Sequence, residues 1–201
     1  METVETVETV ETEIQKSRKE QQMSRIVVLQ GSVRRGGNTQ MLVEAFVKGA
    51  EQQNCVEVIS VADYHVNPCI GCNSCFSREN HQCFQQDDMQ KVYDKLAAAD
   101  VIVVASPVYF YGVSAQLKAI IDRLHTPLRN TFQVKKMALL LVAASPLTGV
   151  FDAIKVQYQL VLDYFHLEDL GSVLVREVKN QGDIAGNAGL KEAYELGTKI
   201  C

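Results

Sequence analysis

The sequence predicts an α/β domain, a three-layer doubly wound sheet of five parallel strands covered by helices on both faces. Three observations predict it. Short continuous apolar runs recur along the chain, as in strands buried on both faces. Between them lie stretches with apolar residues at i, i+3, i+4 and i+7, the stripe of an amphipathic helix. The first, third and fourth runs give way to loops rich in Gly, Ser, Pro and Asn, the punctuation of successive βα units.

The elements follow in order. Ile26, Val27, Val28 and Leu29 form the first strand, and Leu42, Ala45, Phe46 and Gly49 share one side of the first helix. A second strand covers 56–61. Residues 64–86 break the pattern and carry four cysteines. Met89, Val92, Tyr93 and Leu96 mark the next helix, and 101–105 the third strand, ending at Ser106-Pro107. Leu117, Ile120, Ile121 and Leu124 line a helix before a fourth strand at 137–144, which ends at Ser145-Pro146. Phe151, Ile154, Tyr158, Val161, Leu162 and Phe165 mark a long helix. A short fifth strand covers 173–175, and Leu190, Ala193, Tyr194 and Gly197 mark the last helix. With right-handed crossovers, five strands fit the flavodoxin-like order 2-1-3-4-5 better than the six-stranded dinucleotide fold.

Residues 24–201 therefore make the domain, with 64–86 as a cysteine-rich insertion. Residues 1–23, which open on a Glu-Thr-Val repeat, read as a mobile or loosely helical low-complexity tail. A chain of 201 residues, 47% hydrophobic and 22% charged, suits one domain with a proper core. A net charge of −4 gives no support for nucleic-acid binding. The longest strongly apolar run, 137–144, is far short of the roughly 18 residues that span a bilayer. The acidic N-terminus lacks the basic and apolar regions of a secretory signal, so a cytoplasmic location is expected. Six cysteines without an export signal argue against a disulfide scaffold and for metal or redox chemistry.

Ligands of open parallel sheets bind beyond the carboxyl ends of the strands, where strand order reverses. The loop Gly31-Ser32-Val33-Arg34-Arg35-Gly36-Gly37-Asn38-Thr39 joins a strand to a helix start. Free N–H groups of Asn38, Thr39 and Gln40 would face an anion there, favoured by the helix dipole. Ser32 and Thr39 add hydroxyls, Arg34 adds charge, and Gly37 permits close backbone approach. The loop lacks the Gly-Lys-Ser/Thr ending of a P-loop and is not Gly-x-Gly-x-x-Gly. An ordinary turn capped by Asn38 or Thr39 is the plainer alternative. In the loop 106–114, Tyr109, Phe110 and Tyr111 cannot all enter the core, and a flat ligand could stack on those that do not. Gly112 would bring main-chain groups near the ring heteroatoms; the alternative is packing on a neighbour or a second subunit. Ser145, Pro146, Leu147, Thr148 and Gly149 form the opposite wall.

Three stretches carry a family resemblance: Gly31-Ser32-x-Arg34-x-Gly36-Gly37-Asn38-Thr39, Ala99-Asp100-x5-Ser106-Pro107-Val108-Tyr109, and Lys118-Ala119-x2-Asp122-Arg123. Together they resemble the NAD(P)H-dependent FMN reductases of flavodoxin-like fold. The run Pro68-Cys69-Ile70-Gly71-Cys72-Asn73-Ser74-Cys75 through Cys83, followed by Asp87-Asp88-Met89, looks like the iron–sulfur flavoprotein branch. The resemblance covers most of 25–165. It implies FMN, with Ser32, Arg34, Asn38 and Thr39 on the phosphate and Pro107, Val108, Tyr109, Phe110 and Gly112 flanking the ring. It also implies homodimers or homotetramers, and structural or interface roles for Asp122 and Arg123, with Asp122 tying its helix to a neighbour.

Cys69, Cys72, Cys75 and Cys83 form C-x2-C-x2-C-x7-C. Four thiolates suit a [4Fe–4S] cluster or zinc; unmetallated thiols are the third reading. His81 lies within the segment as a spare ligand. The expected activity is flavin-mediated electron transfer from NAD(P)H or a ferredoxin-like donor to a small acceptor such as a quinone, azo or nitro compound, flavin or oxygen. Such chemistry needs no catalytic acid, base or nucleophile. A non-enzymatic electron carrier and a cysteine-based redox or metal sensor are the rival readings.

Overall fold

A computed structural model describes residues 23–200. The tail assigned to 1–23 therefore lies, except for Met23, outside the described residues, as does Cys201. The chain opens with β1 (Arg25–Gln30), α1 (Asn38–Ala50) and β2 (Cys55–Ser60). An irregular stretch follows, interrupted by one helical turn, α2 (Ser74–Ser77). Then come α3 (Met89–Ala97), β3 (Val101–Pro107) and α4 (Ala115–Arg123). A 3-10 turn at Pro127–Thr131 leads to β4 (Lys136–Val142), and another at Thr148–Phe151 runs into α5 (Asp152–Phe165). The described chain ends with β5 (Glu168–Val175) and α6 (Ala188–Thr198).

The five strands form one sheet in the order β2-β1-β3-β4-β5, and every pairing is parallel. Strand alternation splits the apolar runs between two cores. Val27, Leu29, Ile102, Val104, Leu139 and Leu141 face α3, α4 and α5. Ile26, Val28, Val101, Val103, Ala138 and Leu140 face α1 and α6. Each fully buried Val or Leu contributes about 1.5–3 kcal/mol, which explains why the interiors of the central strands, 26–29, 101–105 and 137–142, carry no polar residue.

β5 is longer than the sequence suggested. Its register against β4 shifts between Met137 and Leu139, and Gly171 sits there at φ +105°. This bulge breaks the alternation that marks a strand, so only the apolar end of β5 was legible. α5 stops where His166 adopts the left-handed conformation, φ +53°. The Leu167 N–H then donates to Leu162 O at 2.9 Å, closing a Schellman-type cap.

α1 and α6 cross backbone against backbone. A Cβ on Gly49 would lie 2.2 Å from Tyr194 O, and one on Gly197 2.3 Å from Phe46 O. Only glycine fits either position.

Candidate functional site

The phosphate-type loop begins where β1 leaves the sheet. Gly31 N–H donates to Ala105 O at 2.7 Å, and a Cβ on Gly31 would meet Leu117 Cδ2 at 2.8 Å, so the loop is seated tightly on β3 and α4. Gly36 turns the chain at φ +65°. Gly37 is the residue before the helix, and no side chain caps it. This removes the simple alternative of a turn capped by Asn38 or Thr39. The first turn of α1 holds no acidic residue. The N–H groups of Asn38, Thr39 and Gln40 have no hydrogen-bond partner among the described residues. Three adjacent donors, the helix dipole and no competing carboxylate make an anion site. Ser32 and Thr39 are buried beside it. Ser32 Oγ accepts from Arg34 N–H at 3.2 Å, which leaves the hydroxyl proton free to donate. Arg34 is exposed, and its Nη1 reaches Lys179 O at 3.5 Å.

The Asn38 side chain serves a different purpose from the one expected of it. Its Nδ2 donates to Asn180 O at 2.8 Å, and its Oδ1 accepts from Gly182 N–H at 3.1 Å and Ile184 N–H at 3.3 Å. Three of the four hydrogen bonds the amide can make thus go to the loop after β5. Gln181 Nε2 also donates to Arg35 O at 3.3 Å. That loop is itself braced by Asp183, whose carboxyl the N–H groups of Asn180 and Lys179 hold below the usual carboxylate range. The sequence carried no sign of this fourth loop, because its partners lie more than a hundred residues away and meet through α6 packing on α1.

The aromatic loop is a two-residue reversal. Tyr109 N–H donates to Gly112 O at 2.9 Å and Gly112 N–H to Tyr109 O at 3.1 Å. The Gly112 N–H is therefore engaged within the turn, and its C=O keeps one lone pair. Phe110 and Tyr111 occupy the left-handed region at φ +50° and +65°, the geometry of a type I′ turn, normally built from Asn and Gly. Two bulky residues held there store strain. The result is that Phe110 stands 97% exposed, with Tyr109 and Tyr111 half-exposed beside it. Pro107 is buried at the end of β3, and Val108 is tied to β4 by a 2.8 Å bond from its N–H to Val142 O. Across the mouth, Ser145 Oγ accepts from Leu147 N–H at 3.2 Å, and Arg176 Nη1 fastens Pro146 O at 2.9 Å. Thr148 and Gly149 are exposed. All three loops thus rise from the carboxyl ends of β1, β3 and β4.

The cysteine segment hangs to one side. None of Cys69, Cys72, Cys75 and Cys83 is in a disulfide, and all are exposed or half-exposed. Cys69 Sγ accepts from Gly71 N–H at 3.4 Å. The Ser74 hydroxyl and main chain lower the Cys72 thiol below its ordinary range. Cys75 Sγ lies 3.9 Å from His125 O. Among the described residues no group of three His, Cys, Asp or Glu side chains converges as an ion site, so the four thiols are not gathered in this geometry. His81 Nδ1 is engaged with Cys75 O at 3.2 Å.

Beneath the segment lies an ion pair that the sequence did not announce. Arg123 Nη1 meets Asp87 Oδ2, and the two side chains are 2% and 1% exposed. Arg123 also donates to Asn67 O at 3.3 Å, and Asp87 Oδ2 accepts from Asn67 N–H at 2.9 Å. Burial pushes the Asp87 carboxyl upward, but the Asn67 N–H, the guanidinium and the Met89 N–H outweigh it and hold the group below the carboxylate range. Tyr93 donates to Arg123 O at 2.6 Å, and burial raises its phenol to about 12. Two motifs read separately in the sequence therefore meet here. Arg123 does the tying that was expected of Asp122, which pairs with Lys118 on its own helix.

Residues 24–179 match the family model described as NADPH-dependent FMN reductase. An iron–sulfur flavoprotein of Methanosarcina thermophila is 31% identical over 186 residues, covering 88% of this chain and 93% of that one. An iron–sulfur flavoprotein of Methanocaldococcus jannaschii is 46% identical over 112 residues, 55% of this chain and 56% of that one. A solved NAD(P)H:quinone oxidoreductase from Methanothermobacter marburgensis superposes with a TM-score of 0.73 at 16% identity. That match covers 88% of this chain and 96% of the other, a likeness of fold. Among the described residues no helix is long and apolar enough to cross a membrane.

Proposed function

The chain belongs to the NADPH-dependent FMN reductase family, and from that premise we propose that it holds FMN with the phosphate on the start of α1 and the ring between the loops 106–114 and 145–149. It is an NAD(P)H-dependent flavin oxidoreductase. One observation supports the placement: three adjacent N–H groups, on Asn38, Thr39 and Gln40, that nothing among the described residues caps. The residues fit a phosphate, since they supply donors and no competing carboxylate.

When bound, FMN supplies the chemistry, taking up a hydride and releasing electrons singly. The chain supplies position. The α1 amides hold the phosphate by charge-assisted hydrogen bonds, with the Ser32 and Thr39 hydroxyls beside them and Arg34 screening excess charge. Tyr109 and Phe110 offer flat apolar faces to the ring, and Leu147 and Val33, both exposed at the rim, exclude water from its edges. A small acceptor such as a quinone, azo or nitro compound would stack against the ring between these loops. Pairing of two chains would complete the mouth.

The cysteine segment is proposed to receive a [4Fe–4S] group. Supporting this are four reduced thiols on one short segment and the names of two relatives. As placed, the thiols do not converge around a cluster. Iron and sulfide assay of anaerobically purified protein decides it, and an iron-free result ends the assignment.

The flavin reading is tested by colour and turnover. The purified chain is expected to carry FMN, or to take it up, and to oxidise NADH or NADPH when a quinone is added. Protein that stays colourless after incubation with FMN would sink it.

A further inference from the structure

α5 is apolar on two sides. Ile154, Tyr158, Val161 and Leu162 pack toward the sheet. On the outer side Val156, Leu160 and Tyr164 recur at i, i+4 and i+8 and are 62%, 64% and 66% exposed. Only Ile154 and Leu162 of its 14 residues are buried, against seven of 13 in α1. A helix that is apolar all round is ordinarily covered all round. One exposed Leu needs no explanation, but three large apolar residues in line make a seam about 12 Å long. One end of the seam is already fixed in place. Arg129 Nη2 donates to Tyr164 Oη at 3.3 Å, and the Tyr164 and Phe165 rings pack edge to face at 4.8 Å. A ring held in advance loses little freedom on binding, and Tyr is a common anchor of interfaces.

The charges beside the seam select its partner. Lys155, Gln159 and Asp163 run next to it at the same spacing. Lys155 forms no ion pair among the described residues. Gln159 Nε2 donates to one Asp163 oxygen at 2.8 Å, which leaves the other free. This edge is therefore basic at one end and acidic at the other. A second α5 laid antiparallel about Leu160 sets Leu160 on Leu160 and Val156 on the partner's Tyr164. The same placement sets Lys155 against the partner's Asp163, twice. A parallel placement would oppose Lys155 to Lys155 and Asp163 to Asp163. The face is thus complementary to itself under a two-fold axis. With one Lys against two Asp, α5 is too poor in cations to suit a lipid surface.

We propose that the outer face of α5 is an interface with a second copy of this chain, packed antiparallel about Leu160. The inference rests on the pairing of two chains that completes the flavin mouth, and it gives that pairing a surface. The test is sedimentation of the full-length chain with FMN present, where dimers or multiples of them are expected. Leu160→Asp sets two carboxylates together at the centre and weakens association about a hundredfold or more. Lys155→Glu and Asp163→Lys each replace attraction by repulsion twice and weaken it about tenfold. An equal mixture of these two variants regains wild-type affinity, because each altered side chain then faces an opposite charge. Native mass spectrometry with one variant isotopically labelled counts the mixed pairs. Melting curves establish that Leu160→Asp is folded; should it not fold, the mixture decides alone. A wild-type chain monomeric at every concentration would overturn both this interface and the pairing at the mouth. Association unchanged in Leu160→Asp, or a mixture no tighter than either variant alone, would overturn the α5 interface and leave that pairing standing.

Discussion

Asn38 shows what a single residue must do at the head of α1. Its backbone N–H belongs to the anion site, while its side-chain amide makes three bonds to the loop 180–184. Asn38→Ala is expected to cost about 1–3 kcal/mol of stability, read as a lowered urea midpoint, with a smaller loss of FMN affinity. Asn38→Asp sets a carboxylate against Asn180 O and beside the bound phosphate, and flavin titration should find it weaker than Asn38→Ala. The position of Asn38 at a helix start was legible in the sequence; its partners were not, because local spacing says nothing about a loop joined to it through a helix–helix crossing. Asp87 gives the same lesson for charge. Its depressed carboxyl contributes stability above the unfolded value of 3.8, and that contribution disappears as pH falls through the lower folded value. Asp87→Asn leaves Arg123 buried and unpaired, a loss of about 3–5 kcal/mol at neutral pH. Unfolding measured at pH 7 and below pH 4 should show the gap between wild type and variant narrowing in acid.

At the scale of elements, the tightest tolerance is the crossing of α1 and α6. Gly49 and Gly197 were read only as members of an apolar stripe, yet each permits main-chain contact that a methyl group would block. Gly197→Ala is expected to force the helices apart, at about 1–3 kcal/mol, and to loosen the loop 180–184 that grips Asn38. Thermal melting and flavin affinity should therefore fall together. The turn at Phe110-Tyr111 is the opposite case, a strained element at the mouth of the site. Tyr111→Gly relieves a left-handed side chain that costs about 1–2 kcal/mol, against a gain of chain freedom in the unfolded state of roughly half that size. A slightly raised melting temperature with poorer acceptor KM is the expected pair of readings; a fall in melting temperature would show that the Tyr111 ring contributes packing that outweighs its backbone cost.

For the whole molecule, the five strands could be read from apolar runs, because buried strands leave few residue types to choose from, and their order followed from right-handed crossovers and the strand number. The uncapped helix start was legible because backbone makes it, in the glycine-rich loop before α1. The site was illegible where distant segments meet, as in the ion pair Arg123–Asp87, and where strain replaces the usual turn residues, as at Phe110 and Tyr111. The bulge at Gly171 hid half of β5 for a related reason, since one extra residue inverts the alternation on which recognition rests.

The insertion with its cysteines is stitched to the scaffold at its root. His65 and Asp88 exchange backbone and carboxylate bonds at 3.0 and 2.9 Å, Asn67 is held by Asp87, and His81 O accepts from Thr126 Oγ1 at 2.7 Å. It resembles a purse already drawn at the neck. The expensive part of loop closure, bringing far ends together, is complete before any guest arrives. Filling or emptying the purse should therefore leave the sheet undisturbed, so that protein stripped with chelator in air keeps both its melting temperature and its yellow colour.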